Sequence, residues 1–520
     1  MIRLTTLLLA ALLYPGVGGS VLGATPLPAA EVARAAGRDG DPTLNAIYAG
    51  RGFAPLWVGD ERSVARRDVL QALLASDPAL PGLPQPPFDA SNRSIAAEIA
   101  TTKIALDYLA RLSGGVPVPP ARAMKAMQRL DGASPAPPLA TALLELELVR
   151  DLGGWRRVGT LPGPLPTVPP TEVVSPEVDV APEIPRRTTL PEPVSLRQRL
   201  VQSGDLPATA SAGTEMDAAL TEAVWRFQVR NGLLADGVVG ARSLTALNAP
   251  VAAQIAQVQL NLARGTPDRS GYARYVEVNV PGFELRVVDD GEVVLRSRVI
   301  VGEKDNKTPI FDDRIRYIEI NPSWYVPTSI VPELAEKEAR RPGYLAGSGF
   351  VWRGIEGSQT LVQKPGPENA LGRIKFLFPN HHSVYLHDTP QRGLFARSQR
   401  SLSHGCVRVE KPDELALALL GDQGWDEHRL QSAYGSTKTR RIELREPVPV
   451  FLDYRTAFVD EAGQLNLRAD LYGYDRNGIT LFEGKGLPLE PYLAEDTTWQ
   501  PATATPGGPI LPVGVSRPAS

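Results

Sequence analysis

Between Leu161 and Pro193 the chain is crowded with proline: Pro162, Pro164, Pro166, Pro169, Pro170, Pro176, Pro182, Pro185, Pro191 and Pro193 stand among valine, threonine and glutamate. Proline fixes φ and lacks an N–H, so neither a helix interior nor a central strand runs through such a stretch. An extended, semi-rigid spacer is what it favours. We read the stretch as a linker, and the 520 residues have room for about three domains.

The first residues carry Arg3, an apolar run from Leu7 to Leu13 and then small residues through Ala24. A charged start, a short apolar stretch and a small-residue zone are the parts of a secretory signal, expected over 1–24. The competing reading is an uncleaved membrane tether, but Pro15 and the nearby glycines interrupt the roughly 20 apolar residues a spanning helix needs. The formal charge of −3 leaves no broad basic excess for phosphates, so nucleic acid is a poor partner. Only one cysteine is present, Cys406, so no internal disulfide exists. A free thiol in an oxidising compartment is a liability, and its retention points to a chemical use.

Residues 25–156 read as a helical scaffold. Ile95, Ile99, Thr102, Leu106 and Leu109 recur at helical spacing, with Asn92 and Ser94 as caps and Gly114 and Gly115 as a stop. The spacer occupies 157–193. Over 194–249 three short helices are expected: Leu196 with Leu200; Leu220, Val224 and Phe227; then Leu244 with Leu247 after an Asp236–Gly237 turn. From about Tyr275 the period becomes two, with Val276, Val278 and Val280, then Phe283, Leu285 and Val287, and an Asp290–Gly291 hairpin signal. A β-sandwich over 272–475 is the expected form, followed by a largely disordered tail over 476–520. The fold class is thus α+β and multidomain.

The run AVWRFQVRNGLLADGVVGARSLTALN, 223–248, resembles the small three-helix peptidoglycan-binding domain. That resemblance implies a wall polymer as ligand.

The segment VYLHDTPQRGLFARSQRSLSHGCVRV, 384–409, carries the chemistry. Cysteine catalysis needs a thiolate, a base or cation beside it, and backbone donors for an oxyanion. As a strand, 383–387 turns Ser383, Tyr385 and His387 to one face and Val384 and Leu386 to the core. His387 then looks into a cleft. His404, two residues before Cys406, also faces the thiol if that stretch is extended, and spacing alone leaves the base undecided. Gly405 removes bulk where the backbone must approach a carbonyl, so the N–H groups of Gly405 and Cys406 are candidate oxyanion donors.

These residues resemble the signature of the L,D-transpeptidases with a YkuD-type catalytic domain, in which a histidine precedes an SHGC block by about fifteen residues. Fifteen residues lie between His387 and Ser403. The likeness extends to VIVGEKDNKTP (299–309), NPSWYVP (321–327) and PVPVFLDYRTAFVDEAG (447–463), and looks most like the large Gram-negative, YcbB-like branch. It implies His387 as general base, Cys406 as nucleophile and His404 as a neighbour that orders the loop. Tyr385, Trp324, Ser403 and Arg408 become substrate-binding residues, with Arg408 suited to a carboxylate. An insertion over about 329–380, rich in aromatics and glycine, becomes a lid that keeps water from the thioester.

The implied activity is 3→3 peptidoglycan crosslinking in the periplasm, with a donor tetrapeptide stem, release of D-alanine and an acceptor stem. No metal and no cofactor are implied. Water or a lipoprotein lysine as acceptor would instead give a carboxypeptidase or an anchoring transferase. Two further classes stand against this reading. A zinc wall hydrolase using His381, His382, His387, His404 and Cys406 lacks the usual zinc spacing, and a non-catalytic wall-binding scaffold conflicts with an intact motif. Other wall-synthesis proteins are expected as partners.

Overall fold

The computed structural model describes residues 27–58, 61–75, 94–130, 137–161, 190–265, 268–355, 358–436 and 438–476. The expected signal, most of the spacer and all but the first residue of the tail lie outside them. No helix among the described residues is long and apolar enough to cross a membrane. The chain divides into two compact units, one made of 1–72, 82–109 and 118–135, the other of 73–81, 110–117 and 136–520.

The first unit is helical, including Ala29–Asp39, Pro42–Ala49 and Pro120–Leu130. In helix Ile95–Leu112 the buried face only partly follows the stripe that the spacing predicts: Thr102 and Leu109 are buried, but so is Glu98, while Ile95, Ile99 and Leu106 are half-buried. The reason is a polar hub. Glu98 accepts from the Tyr48 hydroxyl at 2.8 Å and from the backbone N–H of Leu56 and of Trp57, and Thr102 Oγ1 accepts from Trp57 Nε1 at 2.8 Å. A buried carboxylate supplied with donors in this way is tolerated where an unpaired one is not.

In the second unit, helices Pro193–Gln202, Ala218–Arg230 and Ala241–Leu247 share one core of Leu196, Leu200, Leu220, Val224, Phe227 and Leu247. Val158 joins that core, and Asn248 bonds both its N–H and its carbonyl. Thr160 and Leu161 pair with Pro191 and Leu190, so the two described ends of the proline-rich stretch meet. A helix that the sequence pattern did not predict, Val251–Arg264, follows directly, with Pro250 as its N-cap. It ties the small domain to the sheet: Gln257 donates to the carbonyls of Thr456 and Arg468, and Arg264 pairs with Asp475 at 2.6 Å. Arg230 donates to the Leu465 carbonyl at 2.7 Å and Arg468 to the Arg230 carbonyl at 2.6 Å.

The sheet comprises β1 (Arg274–Asn279), β2 (Glu284–Asp289), β3 (Glu292–Gly302), β4 (Phe311–Ile320), β5 (Ile374–Leu377), β6 (Leu386–His387), β7 (Ser401–Ser403), β8 (Val407–Val409) and β9 (Arg440–Asp453). Their order is β7-β3-β8-β6-β5-β4-β9-β1-β2, and β3 also pairs with β2. One long strand therefore joins the two ends of the order, and the expected sandwich layers are parts of a single nine-stranded sheet. Asp290 and Gly291 both have positive φ, as the hairpin signal requires. Val276, Val278, Leu285, Ile318, Phe376 and Leu386 lie in the main core.

The insertion has its own three-stranded sheet, Trp324–Tyr325, Thr360–Gln363 and Phe350–Arg353, with helix Val331–Arg340 packed through Leu334 onto Val326, Phe350 and Leu361. It ends earlier than composition suggested. Ile374–Leu377 lies mid-sheet, and Phe376 and Phe378 belong to the main core rather than to a lid, because Ile374, Phe376 and Phe378 alternate into it with period two.

Candidate active site

Strand β6 is shorter than predicted, beginning at Leu386 after Ser383 takes a positive φ of 58°. It pairs in parallel with β8, Leu386 opposite Val407 and His387 opposite Arg408, and the Val407 N–H donates to the Tyr385 carbonyl at 3.1 Å. Leu386 and Val407 are fully buried in the core. Alternation then turns Tyr385, His387, Cys406 and Arg408 together to the opposite face. The rings of Tyr385 and His387 meet edge to face with centroids 5.6 Å apart.

His387 is not open to a cleft as the sequence suggested; it is 5% exposed. Its Nδ1 lies 2.5 Å from the Asp388 carbonyl. A carbonyl only accepts, so Nδ1 carries the proton and Nε2 keeps its lone pair. Burial, then the positive charge of Arg408, push the imidazole down to about 3; the Asp388 carbonyl pulls the other way, and Lys375 adds the smallest downward push. The ring is neutral at any physiological pH. Cys406 is half-buried. Burial pushes its thiol up, while Tyr385, through backbone N–H and hydroxyl, and the cations Lys375 and Arg408 draw it down.

The loop before the thiol is tied from within. Gly405 has φ +108°, open to glycine and strained for other residues. Its carbonyl accepts from Thr308 Oγ1 at 2.8 Å, and Thr308 Oγ1 in turn accepts from the Gly302 N–H. Two expectations are corrected here. The Gly405 N–H donates to Ser403 Oγ at 3.2 Å, so it is spent inside the loop and is not an oxyanion donor. Ser403 is 3% exposed and its hydroxyl donates to the Cys406 carbonyl at 2.5 Å, so it shapes the loop instead of meeting substrate. The Cys406 N–H has no acceptor among the described residues.

His404 is exposed and faces the insertion, its Nε2 3.4 Å from Glu333 Oε2. Arg408 is half-buried, donates to Gln391 Oε1 at 3.0 Å, and acts on both Cys406 and Glu333. Trp324 is half-buried, interacts with the Tyr385 hydroxyl and meets the Phe350 ring at 6.1 Å. The candidate zinc ligands do not form a metal-holding group among the described residues. The rings of His381 and His382 lie with centroids 3.8 Å apart, tilted by 43°, on a surface turn. Sequence reasoning missed Lys375, Glu333 and Thr308, which reach the site from β5, from the insertion and from the loop between β3 and β4.

Residues 273–430 match the family model of the YkuD "L,D-transpeptidase catalytic domain". This part of the chain is an L,D-transpeptidase catalytic domain. Residues 189–247 match the "Putative peptidoglycan binding domain", which precedes the catalytic domain in the chain. A Haemophilus influenzae protein named "Putative L,D-transpeptidase" is 38% identical over 216 residues, which span 38% of this chain and 44% of that protein. The chain thus spans less than half the length of this curated relative. Solved structures of similar chains include an L,D-transpeptidase from Xylanimonas cellulosilytica, at 21% identity, 53% of this chain, 99% of that one and a TM-score of 0.19. One from Stackebrandtia nassauensis has 17% identity, 50% and 90% coverage and a TM-score of 0.23. Scores this low support no inference about the chain.

Proposed function

We propose that the chain is an exported, periplasmic L,D-transpeptidase that forms 3→3 peptidoglycan crosslinks through a thioester on Cys406. The observation that carries this reading is the common face of Tyr385, His387, Cys406 and Arg408, with the lone pair of His387 on Nε2. His387 Nε2 takes the thiol proton as sulfur attacks the carbonyl of the third, L-configured residue of a tetrapeptide stem. The Cys406 N–H steadies the oxyanion. Collapse breaks the peptide bond, and the departing D-alanine amine takes the proton back from His387. A side-chain amine of an acceptor stem then attacks the thioester, gives its proton to His387, and releases the thiol.

Arg408 suits a carboxylate of the donor stem, and Trp324 with Tyr385 forms the groove wall. The inserted segment shields the thioester from water. His404 orders the mouth of the site through Glu333.

Purified protein incubated with defined tetrapeptide muropeptides tests the reading by product mass. Crosslinked dimer with loss of D-alanine supports it, and a Cys406→Ala variant of equal activity refutes it. Tripeptide alone would make the protein a carboxypeptidase, and dimer absent until a lipoprotein lysine is added would make it an anchoring enzyme.

A further inference from the structure

The register of five neighbouring strands places one residue from each in a single row: Arg441 opposite Glu319, Glu319 opposite Lys375, Lys375 opposite His387, and His387 opposite Arg408. Directly paired residues share a face, so the row lies on the face that carries Cys406. Arg441 commits both Nε and Nη2 to Glu319 Oε1, at 2.9 and 2.6 Å. Lys375 is left without a carboxylate in ion-pair contact among the described residues, and its ammonium sits 3.9 Å from the centre of the Tyr385 ring. Arg408 closes the row on the far side of His387. A charge so placed, between a fixed Glu319–Arg441 pair and the reacting face, is not explained as a surface ion pair.

We infer that Lys375 is a positioning residue whose positive charge favours the Cys406 thiolate and, with Arg408, disfavours a standing imidazolium at His387. The inference rests on Cys406 being the nucleophile. In many thiol enzymes an imidazolium is the cation that steadies the thiolate. Here His387 sits between Lys375 and Arg408, and an imidazolium there would meet like charge on both sides. The positive charge is supplied instead by the row, and the imidazole is left to move protons. Electrostatic action of Lys375 on both Cys406 and His387 agrees with this division. The titratable and charged groups facing Lys375 are Glu319 on β4, Arg441 on β9, His387 on β6 with Tyr385 just before it, and Arg408 on β8 with Cys406 just before it. Glu333 reaches Arg408 and His404 from the insertion.

The test exploits the single cysteine, since iodoacetamide alkylation reports on Cys406 alone. Rates are followed against pH for the full chain, Lys375→Met, Lys375→Gln and Lys375→Arg, with Cys406→Ser as the blank. Loss of the cation raises the thiol midpoint by about one pH unit, which slows alkylation near neutral pH about tenfold. The His387 ring signal, followed by NMR, titrates at higher pH in the same variants, and Lys375→Arg restores both midpoints. A role confined to holding the sheet together would move neither midpoint in a folded variant, and the Gln variant stands in where Met does not fold.

Unchanged midpoints in folded Met or Gln variants overturn the inference. Transpeptidation by Cys406→Ser would instead remove the nucleophile reading, whatever the midpoints do, so the two failures are told apart.

Discussion

His404 Nε2 lies 3.4 Å from Glu333 Oε2, which joins the loop that carries the thiol to a helix of the inserted segment. Glu333 also acts on Arg408, so its carboxylate would compete with the stem-peptide carboxylate proposed for that cation. Both members of the pair are substantially exposed, so its worth is small, about 0.5 kcal/mol. Glu333→Gln is expected to lower KM for a tetrapeptide about twofold, to weaken the salt dependence of KM, and to leave thermal stability unchanged. Steady-state kinetics at two ionic strengths check it, and a raised KM would show that Glu333 assists binding.

The pH profile of kcat/KM should lack an acid limb in the ordinary histidine range. His387 is held down to about 3, by burial first and by Arg408 next, so it remains a base as pH falls toward that value. The thiol is pushed above its usual range by burial, so alkylation should still be rising with pH at mildly alkaline values. A limb near the ordinary histidine value in kcat/KM would contradict the buried, cation-flanked ring.

Glu277 on β1 is 4% exposed. Burial would raise its carboxyl, but Arg455, Arg269 and Arg286 outweigh it and hold the group below the usual glutamate range. The folded value is depressed, so the unfolded chain binds more protons there, and the stability is fully present above the ordinary glutamate value. It is lost as pH falls through the depressed one. Glu277→Gln, which leaves Arg269 and Arg455 to share Asp453 alone, should cost about 3 kcal/mol at neutral pH and flatten that acid dependence. Urea melts at several pH values read both effects.

In the first unit, Glu98→Ala leaves the N–H groups of Leu56 and Trp57 and the Tyr48 hydroxyl without their shared acceptor. A loss of about 3 kcal/mol is expected, visible as an earlier transition in Trp57-weighted fluorescence. Cys406 alkylation in the second unit should be unaffected before that transition.

Gly405→Ala adds a side chain at φ +108°. A loss of about 1–2 kcal/mol in stability is expected from the backbone alone, with a larger fall in activity because the Cys406 N–H is re-aimed. Ser403→Ala should mimic it in part by freeing the Cys406 carbonyl.

The site was legible in the sequence where chemistry and spacing coincide. His387, Gly405 and Cys406 announce themselves by type, and the burial of Val384 and Leu386 follows from alternation. What Gly405 and Ser403 do with their hydrogen bonds was not legible, because it depends on the irregular path of the chain from Ser403 to Cys406 and on Thr308, which comes from a distant loop. Lys375 and Glu319 were beyond reach for another reason: their meaning depends on which strands are neighbours, and the order of the sheet is not chain order. Helix Val251–Arg264 was missed because Pro250 read as a stop. Val251, Ile255 and Val258, buried at i, i+4 and i+7, were the signal that could have found it, since proline is at home at a helix start.

Arg230 and Arg468 each donate to the other segment's backbone, Arg468 to the carbonyl of residue 230 itself. A grip of that kind fixes an offset. Whatever strand the small domain grasps, the sulfur of Cys406 would be set down a constant distance along it, so the choice of which stem is cut would follow from the repeat of the polymer as much as from the groove.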